Sequence, residues 1–339
     1  MDKFSISSEA LSKYYSDPIK VNVSPAKGYR SRCEFGYQNK YYIMHASNGD
    51  KIYLDKFDVA RPCISSLMPK ILEIINSDEL IYKKLFQINF RANSSDKVMV
   101  TLVYHKKLSE ELEIMVSKIS NKLGIQLIAR AKNEFYSSGN GFLEDIIEGT
   151  DITLYQTDQS FYQPNHFMMP RMVKKVIEML DQPNDLLELY CGSGTFTLPL
   201  SKYFTKVFAT ENNRQSIKCL DKAITDNKLN NINYSRLSDD EVTELLEGRI
   251  FRRMNGLDIN NFSFSHILVD PPRSGLTQNV INILNRFDKV IYVSCNMETY
   301  LRDIQLLDAF KISDIEIFDQ FPNTNHLEVV SLLSRKLTY

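Results

Sequence analysis

Asp185–Phe204 reads DLLELYCGSGTFTLPLSKYF. A short, largely apolar strand runs into Gly192-x-Gly194, and a helix-forming run follows. Glycines at that turn let the backbone bend tightly and approach a ligand. The next apolar strand, VFATE, ends in Glu211. An acid at the end of a second strand can bind both hydroxyls of a ribose, so an adenosine-containing cofactor fits. Thr197 holds the place of the third glycine of the dinucleotide pattern, which disfavours a nicotinamide cofactor. Working outward, Leu186–Leu189, Val207–Thr210, Ile267–Val269 and Val290–Val293 are short apolar strands spaced by helical patterns. That rhythm predicts an α/β fold with a parallel, doubly wound, Rossmann-like sheet. Ile315–Asp319 and Val329–Leu333 have no helix-length gap between them and are predicted to pair as a terminal antiparallel hairpin.

The first half has a different texture, mixed α+β. Cys33–Gln38 and Tyr41–Met44 form a predicted hairpin turned at Asn39-Lys40. Ile64–Ile75 and Glu110–Leu123 carry apolar residues at helical spacing. Gln87–Ala92, Val98–Tyr104 and Ile125–Ala131 read as strands, and Ser137–Gly141 as a loop. The change of rhythm near Ser160–Pro170 predicts two domains, 1–165 and 166–339. Pro170 falls inside the helix expected after Gln163-Pro164-Asn165, where it should kink or restart it.

Composition sets the outer limits. The chain has 339 residues, 43% hydrophobic and 24% charged, with a formal net charge of -1. No apolar run is long enough to span a bilayer, and Met1–Asp17 has no apolar signal core, so a membrane is not expected as a partner. Five widely spaced cysteines (Cys33, Cys63, Cys191, Cys219, Cys295) argue against a metal site or an iron–sulfur cluster and fit free thiols in the cytoplasm.

Three segments carry chemistry-bearing residues to strand ends, where open α/β sheets bind ligands. ILVDPPRSGL places Asp270 after a buried strand, although an Asp-Pro turn of no function has the same look. KVIYVSCN places Cys295 after the next strand, in the position of a nucleophile, while a buried structural cysteine is the default for that residue type. HLEVV places Glu328 beside an apolar strand, where a partly dry setting would raise its pKa toward that of a useful base; His326 is a second candidate. Cys191, inside the glycine turn, reads as a packing residue.

The E-x-x-x-G-x-G form, with Glu188 as its acid, resembles class I methyltransferases, which bind S-adenosyl-L-methionine. LLELYCGSGTF, FYQPN at Phe161–Asn165, DPPRSGL, YVSCN and HLE together resemble the bacterial tRNA (uracil-5-)-methyltransferases. YRSRCEF at Tyr29–Phe35 and the stretch Leu85–Leu108 extend the likeness over most of the chain. The resemblance implies methylation of carbon 5 of the T-loop uridine, position 54, of tRNA, with the equivalent loop of tmRNA as a further substrate. It implies Cys295 as nucleophile and Glu328 as base. Its cofactor positions fall on Gln163, Tyr190, Thr195, Glu211 and Asp270, with Gly192 in the turn between them. Thr195 departs from the asparagine often found there, and Asp270 could serve the cofactor, the uracil or both.

An RNA partner needs a surface for phosphates and stacked bases. Pro18–Lys40 carries five bases against one acid with Tyr29, Phe35 and Tyr37 between them, and Tyr82–Lys107 six against one. Arg30 and Arg32 are the expected contacts, since alternate strand residues share a face. A ribosomal-RNA uracil-5 methyltransferase is the nearest alternative. It is disfavoured by the lack of a cysteine cluster and by how closely YRSRCEF follows Met1. A non-catalytic RNA-binding protein or RNA chaperone on the same scaffold is the alternative from another class, which intact Cys295 and Glu328 oppose. No obligate protein partner is evident.

Overall fold

The computed structural model describes residues 2–46, 48–254 and 256–336. Among these, the strands are β1 (Lys20–Asn22), β2 (Arg32–Gln38), β3 (Tyr41–His45), β4 (Lys51–Leu54), β5 (Leu85–Ala92), β6 (Val98–Tyr104), β7 (Gln126–Ala131), β8 (Glu134–Ser137), β9 (Leu143–Ile146), β10 (Thr153–Gln156), β11 (Asp185–Leu189), β12 (Lys206–Thr210), β13 (Ile232–Ser235), β14 (Phe264–Val269), β15 (Lys289–Ser294), β16 (Phe310–Phe318) and β17 (Glu328–Arg335). The chain divides into two compact units: Met1–Ser24 with Gly149–Leu154 and Phe167–Tyr339, and Pro25–Glu148 with Tyr155–His166.

The first unit holds a sheet in the order β1-β16-β17-β15-β14-β11-β12-β13. β11, β12, β13, β14 and β15 pair in parallel, so their carboxyl ends share one edge. β11, β14 and β15 are buried along most of their length, the pattern of parallel strands covered on both faces. β17 enters antiparallel between β15 and β16, as the hairpin prediction required, and therefore begins at the edge where the parallel strands end. A core of Leu187, Phe208, Ile267, Val290, Tyr292 and Val329, among others, lies in this unit.

The division expected at residue 165 differs from this arrangement at the N-terminus and at Gly149–Leu154. β1 adds in parallel to β16, with Lys20 opposite Glu316 and Asn22 opposite Phe318. Asn22 Nδ2 donates to Glu316 Oε2 at 2.8 Å, and Lys20 and Lys175 both ion-pair with Glu316. The helix Lys3–Leu11 buries Leu11 in the same core. Residues 1–24 thus belong with the C-terminal half. Pro170 neither kinks nor restarts its helix. The helix begins at Met168, so Pro170 lies in the first turn, where no intrahelical N–H bond is lost.

The second unit is built on a sheet in the order β4-β3-β2-β5-β6-β7-β8. Its pairs are antiparallel except β6 with β7, which the helix Glu110–Leu123 connects. Asn39 and Lys40 both have positive φ, the two-residue turn that matches strand twist in a hairpin. Ser109 caps the connecting helix by accepting from the Leu112 amide at 3.3 Å, and Glu110, Glu111 and Glu113 fill its first turn. Such a cap contributes about 1 kcal/mol. Ser137 belongs to β8 rather than to the predicted loop, which starts at Ser138. A separate core of Phe35, Tyr42, Ile64, Phe90 and Val100, among others, lies against the two longer helices.

Candidate active site

Asp270 follows β14 and Cys295 follows β15, so both stand on the carboxyl edge of the sheet. The β15–β17 register sets Ser294 opposite Val329. Cys295 follows Ser294 and Glu328 precedes Val329, so the two residues lie just beyond that last pair, and Glu328 acts on the Cys295 thiol electrostatically. The nucleophile candidate from the end of one strand and the base candidate from the start of its antiparallel neighbour therefore meet. Cys295 is only partly covered and lines a cavity of about 600 Å³ with Arg273, Asn296, Asn325 and His326. Glu328 is buried.

The loop after Asp270 is tied to the helix after Cys295. Asn296 caps that helix, Met297–Leu306, by accepting from the Glu298 amide, and its Nδ2 donates to Arg273 O at 3.1 Å. Thr299 Oγ1 donates to the same carbonyl at 3.3 Å. Asp303 is fully buried and its carboxylate accepts from the Leu276 amide, Tyr292 OH and Arg302. Arg302 Nη2 also donates to Ser274 O and Leu276 O. Gly275 has φ +76°, and a Cβ there would come within 2.5 Å of Arg302 Nη2 and 2.6 Å of Asp303 Oδ2. Asp303 and Arg302 were not anticipated from sequence. The one available signal was an aspartate three residues after Tyr300, on the apolar side of YLRDIQLL.

The ionisable groups at this edge are mostly acids whose charged forms burial disfavours. Burial, with Glu328 and Asp270 nearby, pushes the Cys295 thiol up to about 12, and the Arg273 guanidinium works against that. Burial and then Asp270 raise the Glu328 carboxyl well above the carboxylate range, again opposed by Arg273. Burial, with Glu211 nearby, raises Asp270 to about 7. Burial raises Glu188 to about 8; a hydrogen bond from Thr197 pulls it down and Asp270 pushes it up. An edge this acidic is poised for a cationic ligand.

The glycine turn after β11 supplies the rest. Tyr190 adopts φ +60°, uncommon for a residue with a side chain and a mark of functional strain, and its hydroxyl donates to Asp239 Oδ2 at 3.2 Å. The Gly192 amide donates to Glu211 Oε2 at 3.0 Å, and Glu211 Oε1 accepts from the Asn213 amide. A Cβ at Gly192 would meet no atom within 4 Å, so the turn is open on that side. Thr195 is buried in the turn. Cys191 is buried, as its packing role required. Tyr190, Gly192, Thr195, Glu211, Asp270, Cys295 and Glu328 thus all fall on this sheet's carboxyl edge or in the turns leaving it.

Gln163, Arg30 and Arg32 belong to the other unit. Gln163 is buried there between Tyr162, whose hydroxyl donates to Asp145 Oδ2 at 2.8 Å, and Pro164, whose carbonyl accepts from the Ser31 amide. Arg30 precedes β2 and its Nε donates to Arg32 O at 2.9 Å. Arg32 opens β2 and grips Glu34 Oε1 through Nε and Nη2 at 3.0 and 2.6 Å. The expected common face is therefore occupied by Arg32 and Glu34, with Arg30 folded back along the backbone.

The family model described as tRNA (Uracil-5-)-methyltransferase matches residues 1–336. A tRNA/tmRNA (uracil-C(5))-methyltransferase of Saccharophagus degradans is 36% identical over 99% of this chain and 95% of its own length. One of Campylobacter concisus is 38% identical over 96% of this chain and 91% of its own. Among solved structures, the Pyrococcus abyssi tRNA (uracil-54, C5)-methyltransferase in complex with S-adenosyl-L-homocysteine superposes with a TM-score of 0.77. It covers 98% of this chain and 82% of that one at 22% identity, and shares the fold.

Proposed function

The chain belongs to the tRNA (uracil-5-)-methyltransferase family, and from that premise we propose that it methylates carbon 5 of the T-loop uridine, position 54, of tRNA, with Cys295 as nucleophile and Glu328 as base. The equivalent loop of tmRNA is a second substrate of the same kind, as the relatives' names indicate for those proteins. The observation that carries the residue assignment is the pairing of Ser294 with Val329, which leaves Cys295 and Glu328 side by side at the carboxyl edge of the sheet.

The open side of Gly192, the paired Glu211 and the acidic edge fit S-adenosyl-L-methionine, which Tyr190, Thr195, Glu211 and Asp270 would hold. When bound, that cofactor supplies an electrophilic methyl group on a positively charged sulfur. Carbon 5 of uracil is a poor nucleophile by itself. Cys295 Sγ, as thiolate, adds to carbon 6 and pushes electron density through the ring onto carbon 5. Once carbon 5 carries the methyl group, Glu328 takes the remaining proton from it. The electron pair of that carbon–hydrogen bond forms the carbon 5–carbon 6 double bond. The carbon 6–sulfur bond breaks and its electrons return to Cys295. A carboxylate held above its ordinary pKa suits that proton transfer near neutral pH, a step for which a placed base supplies about 10²–10⁴ in rate.

Arg30 and Arg32 serve the RNA side of this reading, in a unit whose basic residues are local excesses within a balanced charge. The reading also places the enzyme in the cytoplasm, with no metal or iron–sulfur cluster. The test is methyl transfer from labelled S-adenosyl-L-methionine to unmodified tRNA, with mapping of the modified nucleotide. We expect 5-methyluridine in the T-loop from the unchanged protein. Cys295→Ala should give no product and no covalent RNA adduct. A different modified nucleotide, or a Cys295→Ala variant that still methylates, overturns the reading.

A further inference from the structure

We propose that Lys3 is a positioning residue for the base: from the N-terminal helix it latches the loop leading into Glu328, and so governs release of the methylated RNA rather than its methylation. The inference rests on the roles of Cys295 and Glu328 proposed above.

Lys3 lies in the helix Lys3–Leu11, and Ile6, Ser7 and Ala10 of the same helix line the Cys295 cavity with it. Lys3 Nζ donates to Asp319 Oδ1 at 2.6 Å, to Phe321 O at 3.1 Å and to His326 O at 3.4 Å. These use all three ammonium donors on one loop. The Lys3–Asp319 ion pair is largely shielded, with side chains 14% and 6% exposed. That matters because an exposed pair would contribute little. The two ends of the contact bracket the loop: Asp319 follows β16, and His326 is two residues before Glu328 at the start of β17. A second tie from the same N-terminal segment holds the loop's start, where the Asp319 amide donates to Asn22 O at 2.9 Å. Within the loop, Thr324 Oγ1 donates to Phe321 O and the His326 amide donates to Thr324 Oγ1.

The nucleophile is held differently. Cys295 is fixed through β15, Asn296 and the Asp303 network, whereas the Lys3 hydrogen bonds go to Asp319, Phe321 and His326. Loss of Lys3 therefore loosens the base while leaving the nucleophile's supports intact. Addition of Cys295 to carbon 6 and methyl transfer precede proton removal, so the reaction should stall with Cys295 still bonded to carbon 6. A small displacement of a catalytic group is enough to slow its step strongly.

The experiment compares the unchanged protein with Lys3→Met and Lys3→Arg in a single turnover on unmodified tRNA. It follows methyl incorporation and the denaturation-resistant protein–RNA adduct separately. For Lys3→Met we expect methyl incorporation within about twofold of the unchanged protein, and adduct decay slower by about 10-fold or more. Lys3→Arg, which keeps charge and donors, should restore decay. Asp319→Asn weakens the latch from the other side and should also slow decay. Unaltered adduct decay in Lys3→Met overturns the proposal, as does parallel loss of incorporation and decay with a lowered Tm, the outcome of a merely structural role. An unchanged protein that methylates tRNA with no Cys295 adduct at all overturns the underlying reading and this inference with it. That result is recognisable because it appears before any Lys3 variant is made.

Discussion

At the scale of single residues, the proposed chemistry depends on how the Arg273 guanidinium and several acids share one sheet edge. Arg273 is the group that pulls the pKa of both Cys295 and Glu328 downward, against burial and the carboxylates around them. Without cofactor the thiol, raised to about 12, stays protonated and unreactive at neutral pH, and becomes reactive only as pH rises toward that value. A positive charge brought to the edge moves this titration to lower pH. Measured as the pH dependence of alkylation by iodoacetamide, the midpoint for Cys295 should fall by about one unit or more with S-adenosyl-L-methionine bound, each unit being about 1.4 kcal/mol. Equal midpoints with and without the cofactor would sink the coupling. Cys295, Glu328 and Asp270 were legible in the sequence because each sits beside an apolar run whose end locates the residue. Lys3 was not, since its partners are more than 300 residues away and no local pattern marks it.

At the scale of elements, the apolar runs were read correctly wherever burial on both faces left a continuous stretch, as in β6, β11 and β15. The short strands β1, β4, β8 and β13 were missed because three or four residues carry no period and their pairing is decided by tertiary neighbours. The terminal hairpin was legible from its short connection, but the insertion of β17 between β15 and β16 was not, and that insertion is what brings Glu328 to Cys295. The loop from Asp270 to Leu276 is equally a product of its neighbours. Gly275→Ala introduces both a strained left-handed φ and a methyl group against Arg302, Asp303 and Thr299. The expected cost is about 1–3 kcal/mol in stability and about 10²-fold or more in methyl transfer, with RNA affinity retained. Thermal melts, turnover and filter binding on one preparation test it, and wild-type turnover would refute the loop's role.

At the scale of the whole molecule, the net charge of -1 counts for less than its distribution. The cofactor edge is acidic, while the basic residues expected to meet RNA lie in the other unit. We expect Arg32→Ala to weaken tRNA binding by about threefold to tenfold, since its guanidinium is shared with Glu34, and to leave cofactor affinity unchanged. Filter binding and calorimetry test this, and unaltered RNA affinity would remove Arg32 from the contact. The packing of residues 1–24 onto β16 and its following loop also fixes an order of events during synthesis. The unit of Pro25–Glu148 and Tyr155–His166 can fold once residue 166 has emerged, whereas the N-terminal segment must wait for β16 and β17. At typical elongation speeds that interval is roughly ten to thirty seconds. Residues 2–24 are thus made before the strands they pack on, and Glu328, the proposed base, is secured only once β16 and β17 have both emerged.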